Sequence, residues 1–115
     1  MGKAGKSDSV AIGSTTKKVI AKIKAKLKSQ KIKVTQIILF GSHAKGMADK
    51  YSDYDLCFIF DPKDYEPSDL TLKLTKAIIF ELRIVADIIV MTEKKFKTNK
   101  TSPLVHEIRS YGMVV

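Results

Sequence analysis

The sequence predicts a small α/β (α+β) domain, a mixed three-stranded sheet with helices packed on it. Three apolar runs carry that expectation. Ile37-Ile38-Leu39-Phe40 stops at Gly41-Ser42, and Leu56-Cys57-Phe58-Ile59-Phe60 begins directly after Asp53-Tyr54-Asp55. Ile84-Val85-Ala86-Asp87-Ile88-Ile89-Val90 is a third run, rich in β-branched residues and interrupted by one acid. Their lengths and the residues that break them are those of buried strands. The segments between and around them carry helical spacing instead.

Residues 1–9, rich in Gly, Lys and Ser, read as a flexible tip, and residues 10–115 as one domain. Within the tip, Gly5-Lys6-Ser7 has the ending of a phosphate loop but lacks the upstream glycine and strand that such a loop needs. Over residues 14–30, Val19, Ile20, Ile23 and Leu27 recur at helical spacing with lysines all around them, which predicts an amphipathic helix. Its lysine face is read as a solvated surface first and as an RNA- or partner-binding face second, because no aromatics are interleaved for stacking. Residues 31–33 form a turn into the first strand, expected at about 34–40.

The corner after that strand has a physical logic of its own. Gly41 lets the backbone come close to a ligand, while Ser42 offers a hydroxyl at the start of a short helix whose first N–H groups are free. Such a corner suits a polyphosphate. Asp53 and Asp55 stand two apart at the head of the second strand, so they share a face. Two such carboxylates repel each other unless a cation sits between them, and a hard ion such as Mg²⁺, held by carboxylates and substrate phosphates, fits that need.

Past Asp61-Pro62 and an acidic loop, Leu70, Leu74, Ile78 and Leu82 line one face of a second long helix, which should cover the sheet. A strand, a crossover helix and a strand make the second and third strands parallel through a right-handed connection. The first strand then runs antiparallel to the second, and Asp55 and Asp87 fall near the same end of neighbouring strands. A lone charge in so apolar a run is costly, so Asp87 should stand at the core's edge and face the ion site. Residues 92–96 read as a short helical turn. Ser102-Pro103 opens a last helix along Leu104, Ile108 and Tyr111, ended by Gly112, with His106 and Glu107 on its polar side.

Composition sets the outer bounds. At 115 residues the chain holds one domain, and 44% apolar residues are enough for a core. No apolar run approaches a membrane span and no cleavable leader is evident, so a cytoplasmic location with no membrane partner is expected. The one cysteine, Cys57, excludes an internal disulfide and reads as a buried core residue. A net charge of +9 is compatible with nucleic-acid binding and equally with simple solubility, so it decides nothing alone.

Gly41-Ser42, ten residues, Asp53-x-Asp55, then a lone Asp on a later apolar strand resembles the signature of the polymerase-beta-type nucleotidyltransferase superfamily. The fuller run Gly41-Ser42-His43-Ala44-Lys45-Gly46, with Ser52-Asp53-Tyr54-Asp55-Leu56, is similar to its smallest members, the minimal nucleotidyltransferase (MNT) domain proteins. Where the family commonly carries a basic residue after Gly-Ser, this chain has His43; Lys45 stands where a second basic residue is usual. The resemblance implies transfer of a nucleoside monophosphate, AMP first among them, from ATP or another NTP to an acceptor hydroxyl. It implies that Gly41, Ser42 and Lys45 hold the nucleotide. It also implies that Asp53, Asp55 and Asp87 are the catalytic acids and the ligands of two Mg²⁺ ions. By the same resemblance the partner is a small helical HEPN-type protein of a toxin–antitoxin pair. Two other classes stay open: a catalytically weak or inactive antitoxin-like module that only binds its partner, and a basic nucleic-acid-binding protein. The sequence leaves homo-oligomerisation undecided.

Overall fold

The computed structural model describes residues 13–49 and 52–115; the expectation for the tip at residues 1–9 lies outside them. Helix α1, Ser14–Ser29, buries Thr16, Ile20, Ile23 and Leu27, one stripe at 3.6-residue spacing. It ends in a Schellman turn: the Ile32 N–H reaches the Leu27 carbonyl at 2.9 Å, the Lys31 N–H reaches Lys28, and Lys31 takes the left-handed conformation at φ 57°. Ile32 then packs beside Leu27 in the core, which fixes where the chain turns toward the sheet.

Strand β1, Gln36–Phe40, runs into a single helical turn, α2, Gly41–Ala44, and strand β2 follows at Tyr54–Phe60. Helix α3, Pro67–Leu74, starts with proline in its first turn and continues as π-helical turns over Thr75–Glu81. No Gly or Pro marks that widening. The wider winding keeps Leu70, Leu74, Ala77 and Ile78 fully buried on the sheet, while Leu82 is only half-buried. Arg83, left-handed at φ 60°, turns the chain into strand β3, Ala86–Thr92. Helix α4, Glu93–Thr98, is capped by the Thr92 hydroxyl, which accepts from the Lys95 N–H. Helix α5, Pro103–Tyr111, is capped in the same way by Ser102, and a short strand β4, Met113–Val114, closes the chain.

The sheet order is β3-β2-β1-β4, with β2 parallel to β3 and β1 antiparallel to both β2 and β4. The parallel and antiparallel relations are those expected from the crossover. The fourth strand corrects the expected three: two residues are too few to show any alternation, and only their pairing with β1, Met113 with Leu39 and Val114 with Ile38, defines them. The third strand also begins later than its apolar run, since Val85 is exposed and Ala86 is the first paired residue.

Alternation along β1 and β2 divides the interior in two. Ile37, Leu39, Leu56, Phe58 and Phe60 face α1 and α3, while Ile38, Phe40, Cys57 and Ile59 face α5. On α5 the buried residues are Val105 and Ile108; Leu104 and Tyr111 are exposed, so the apolar stripe is turned by one position from the expected one. Among the described residues no helix is long and apolar enough to cross a membrane.

Candidate active site

Strand alternation decides which face carries the acids. Asp53 and Asp55 share parity with Cys57 and Ile59, and Asp87 with Ile89 and Met91, so all three belong to the α5 side of the sheet. In the parallel ladder Asp55 stands directly opposite Asp87. The Asp55 carboxyl is partly buried, hydrogen-bonded to Asp87, and pushed up to about 6. Burial is the largest cause; the Asp87 hydrogen bond and the charges of Asp87 and Asp53 add to it, and His43 opposes. A hydrogen bond between two carboxyl groups needs a proton, so it belongs to the protonated form of Asp55, which is populated below about pH 6. Asp53, two residues before, stands exposed at the mouth of β2.

Gly41 does more than open the backbone to a ligand. It sits at φ 74°, and a Cβ there would overlap the Asp55 carboxyl oxygen Oδ2 and stand 2.9 Å from the carboxyl carbon. Glycine is therefore required twice over, by conformation and by the side chain that fills its missing volume. Antiparallel pairing of Phe40 with Asp55 brings the two together, so the corner and the acid are built by one ladder. Ser42 is half-buried in the single turn α2, where the first N–H groups have no intrahelical acceptor.

Lys45 leaves the corner on the α5 side. Its ammonium lies 3.5 Å from Glu107 and 4.9 Å from the centre of the Tyr111 ring. The polar face of the last helix thus meets the corner, a contact that sequence spacing does not announce. His43 turns the other way. Its ring stacks on Tyr54, with centroids 4.0 Å apart and planes 13° from parallel. Its Nε2 is 3.0 Å from the Ser52 carbonyl oxygen and its Nδ1 is 3.4 Å from the Thr16 hydroxyl. A cavity of about 520 Å³ beyond this ring, bounded by Thr16, His43, Gly46, Ser52 and Tyr54, contains none of the three acids.

Cys57 is fully buried and its thiol is pushed up to about 12 by burial, so it is a core residue rather than a nucleophile. Among the described residues no three His, Cys, Asp or Glu side chains form a ready-made metal cage. What the fold does assemble is an acid pair, Asp55 and Asp87, with Asp53 adding charge beside it. That donor set fits a magnesium-like ion, which takes one or two carboxylates and completes its shell with waters and phosphates.

Comparison with known proteins bears on the fold and the family. The chain is similar to a toxin–antitoxin structure with AMP-PNP, at 21% identity and TM-score 0.59 over 82% of this chain and 69% of the other. A tri-AMPylated Shewanella oneidensis HEPN toxin in complex with MNT antitoxin is 18% identical at TM-score 0.54, over 85% and 69%. A Sulfolobus solfataricus protein described as a nucleotidyltransferase is 21% identical at TM-score 0.58, over 99% and 89%. At these identities the likeness is one of fold. No curated protein sequence matches. The nucleotidyltransferase domain profile matches residues 20–110, spanning the corner and all three acids, and the chain belongs to that nucleotidyltransferase domain family.

Proposed function

We propose that the protein transfers AMP from ATP, or the corresponding monophosphate from another NTP, to a hydroxyl on a partner protein. The observation that carries this reading is the Asp55–Asp87 pair, set in register across β2 and β3 against the Gly41 corner. The crowding of these carboxylates, which raises Asp55, marks a place where a cation would be favourable. Asp55 and Asp87, with Asp53 at the mouth, are the residues that would hold two Mg²⁺ ions. Those ions, when bound, would neutralise the triphosphate and acidify the acceptor hydroxyl.

The chain's own residues divide the remaining work. The free N–H groups and hydroxyl at Ser42 hold the β- and γ-phosphates beside Gly41. This orients the α-phosphorus toward the acids. Asp87 takes the acceptor's proton as the hydroxyl oxygen bonds to the α-phosphorus and the bond to the departing pyrophosphate breaks. Lys45 contributes charge to the triphosphate; leaving Glu107 costs little, since exposed pairs of this kind are worth about 0–1 kcal/mol.

The fold likeness to toxin–antitoxin structures, one of which contains an AMPylated HEPN toxin, supports the reading of the partner class. A small helical HEPN-type protein is accordingly the acceptor, with a tyrosine hydroxyl as the attacking group. Labelled ATP, Mg²⁺ and the neighbouring gene product test this directly. Asp53→Ala together with Asp55→Ala should abolish label transfer and leave partner binding intact. Partner binding without any transfer by the wild-type protein would instead mark a purely binding antitoxin-like module.

A further inference from the structure

We infer that His43 is a positioning residue for Asp53, acting through the two residues that flank it. Asp53 is exposed, and among the described residues no hydrogen bond or ion pair holds its carboxylate, so its direction depends on its backbone. That backbone is gripped on both sides by one ring. On the N-terminal side, the His43 Nε2 lies 3.0 Å from the Ser52 carbonyl oxygen, the oxygen of the peptide that leads into Asp53. A carbonyl can only accept, so Nε2 carries the hydrogen. On the C-terminal side the imidazole lies flat on the Tyr54 ring at 4.0 Å. In the neutral ring Nδ1 is then the acceptor, and the hydroxyl of Thr16, a residue only 6% exposed, donates to it at 3.4 Å.

His43 thereby ties three segments together: the first turn of α1, the Gly41 corner, and the entry to β2. Other bonds brace the same entry. The Ser52 N–H donates to the Asp49 carbonyl at 3.1 Å and the Tyr54 N–H to the Val85 carbonyl at 3.2 Å. Among the described residues, only the imidazole reaches both neighbours of Asp53 with a side chain from the corner itself. A basic side chain at position 43 would serve the phosphates by charge; this imidazole, with both ring nitrogens and one face engaged, is committed to the protein. Its contribution is geometric: it fixes the distance between the corner that holds the phosphates and the outermost acid.

The inference rests on the proposed reaction only for the meaning of Asp53, and the test separates the two. His43→Phe keeps the ring and loses the Nε2 donor, with the cavity beyond the ring to accommodate it; His43→Gln places an amide donor close to where Nε2 stands. The first readout uses metal-free protein: exchange of the Ser52 amide should accelerate by about tenfold in His43→Phe, while the amides of Cys57 to Ile59 stay unchanged. His43→Gln should restore it. The second readout is catalytic: His43→Phe should lower kcat by about tenfold to a hundredfold with KM for ATP nearly unchanged, and raise the Mg²⁺ needed for half-maximal rate. Normal Ser52 exchange in His43→Phe overturns the inference, as does a rise in KM with kcat intact, which would mean that His43 touches the nucleotide. Equal acceleration at Ser52 and across β2 would reduce His43 to a general stabiliser and overturn it as well. If the exchange arm behaves as stated and the wild-type protein transfers nothing to any acceptor, the proposed reaction fails while the positioning of Asp53 stands.

Discussion

Asp55 and Asp87 stand directly opposite each other in the parallel ladder of β2 and β3, and burial and crowding push Asp55 up to about 6. This pairing costs stability in the absence of a cation, and the sign can be worked out. Between 3.8 and about 6 the folded carboxyl keeps a proton that the unfolded chain has already lost. Stability from this group is therefore fully present below 3.8, declines as pH rises, and is gone above about 6. At about 1.4 kcal/mol per unit the full shift would amount to about 3 kcal/mol, and partial exposure reduces it to about 1–2.

Asp55→Asn removes that titration. In metal-free protein it should be more stable than wild type at pH 7–8 by about 1 kcal/mol, with the difference shrinking as pH falls toward 4. Denaturant melts at several pH values check this. Saturating Mg²⁺ should erase the advantage at pH 7 by stabilising only the wild-type pair.

Gly41→Ala should be destabilising by about 2 kcal/mol or more, because the left-handed backbone alone costs an L-residue about 1–2 and the added methyl meets the Asp55 carboxyl. The two causes separate in a double-mutant cycle. In an Asp55→Ala background the same change should cost clearly less, since the carboxyl overlap is gone and the backbone strain and a 3.2 Å contact with the remaining Cβ are left. Equal costs in both backgrounds would mean that the corner does not press on the acid.

Lys45 and Glu107 make opposite predictions. Lys45→Met, which keeps the apolar stem over Tyr111, should raise KM for ATP by about five- to tenfold and shift stability by less than about 1 kcal/mol. Glu107→Gln frees the ammonium and should leave KM equal or lower. Steady-state kinetics with both variants decide whether Lys45 serves the nucleotide or the C-terminal helix.

Much of the fold was legible because its signals are local and periodic. The three apolar runs, the α1 stripe through Ile20, Ile23 and Leu27, and the Ser102 cap each need only a few neighbouring residues, and all appear at or near the expected positions. The register of Asp55 with Asp87 was approachable for the same reason, since a right-handed crossover brings both acids to one end of the sheet. What escaped depends on contacts distant in sequence. The strand at Met113–Val114 exists only through β1, the pairing of Lys45 with Glu107 spans most of the domain, and the buried stripe of α5 is chosen by the sheet beneath it. The role of Gly41 as the space for a carboxylate fourteen residues on is of the same kind. So is the three-way engagement of His43, whose partners Thr16 and Ser52 no spacing rule connects.

The central claim is that Asp53, Asp55 and Asp87 form a cation site beside the Gly41-Ser42 corner. A crystal structure grown with Mn²⁺ and a non-hydrolysable ATP analogue tests it most directly, because manganese is located by its anomalous scattering independently of the protein phases. Anomalous peaks between the Asp55 and Asp87 carboxylates and next to Asp53, with the triphosphate against Ser42, are the predicted result. A nucleotide bound away from the corner, or one bound at Ser42 with no manganese among the three acids, would contradict the account.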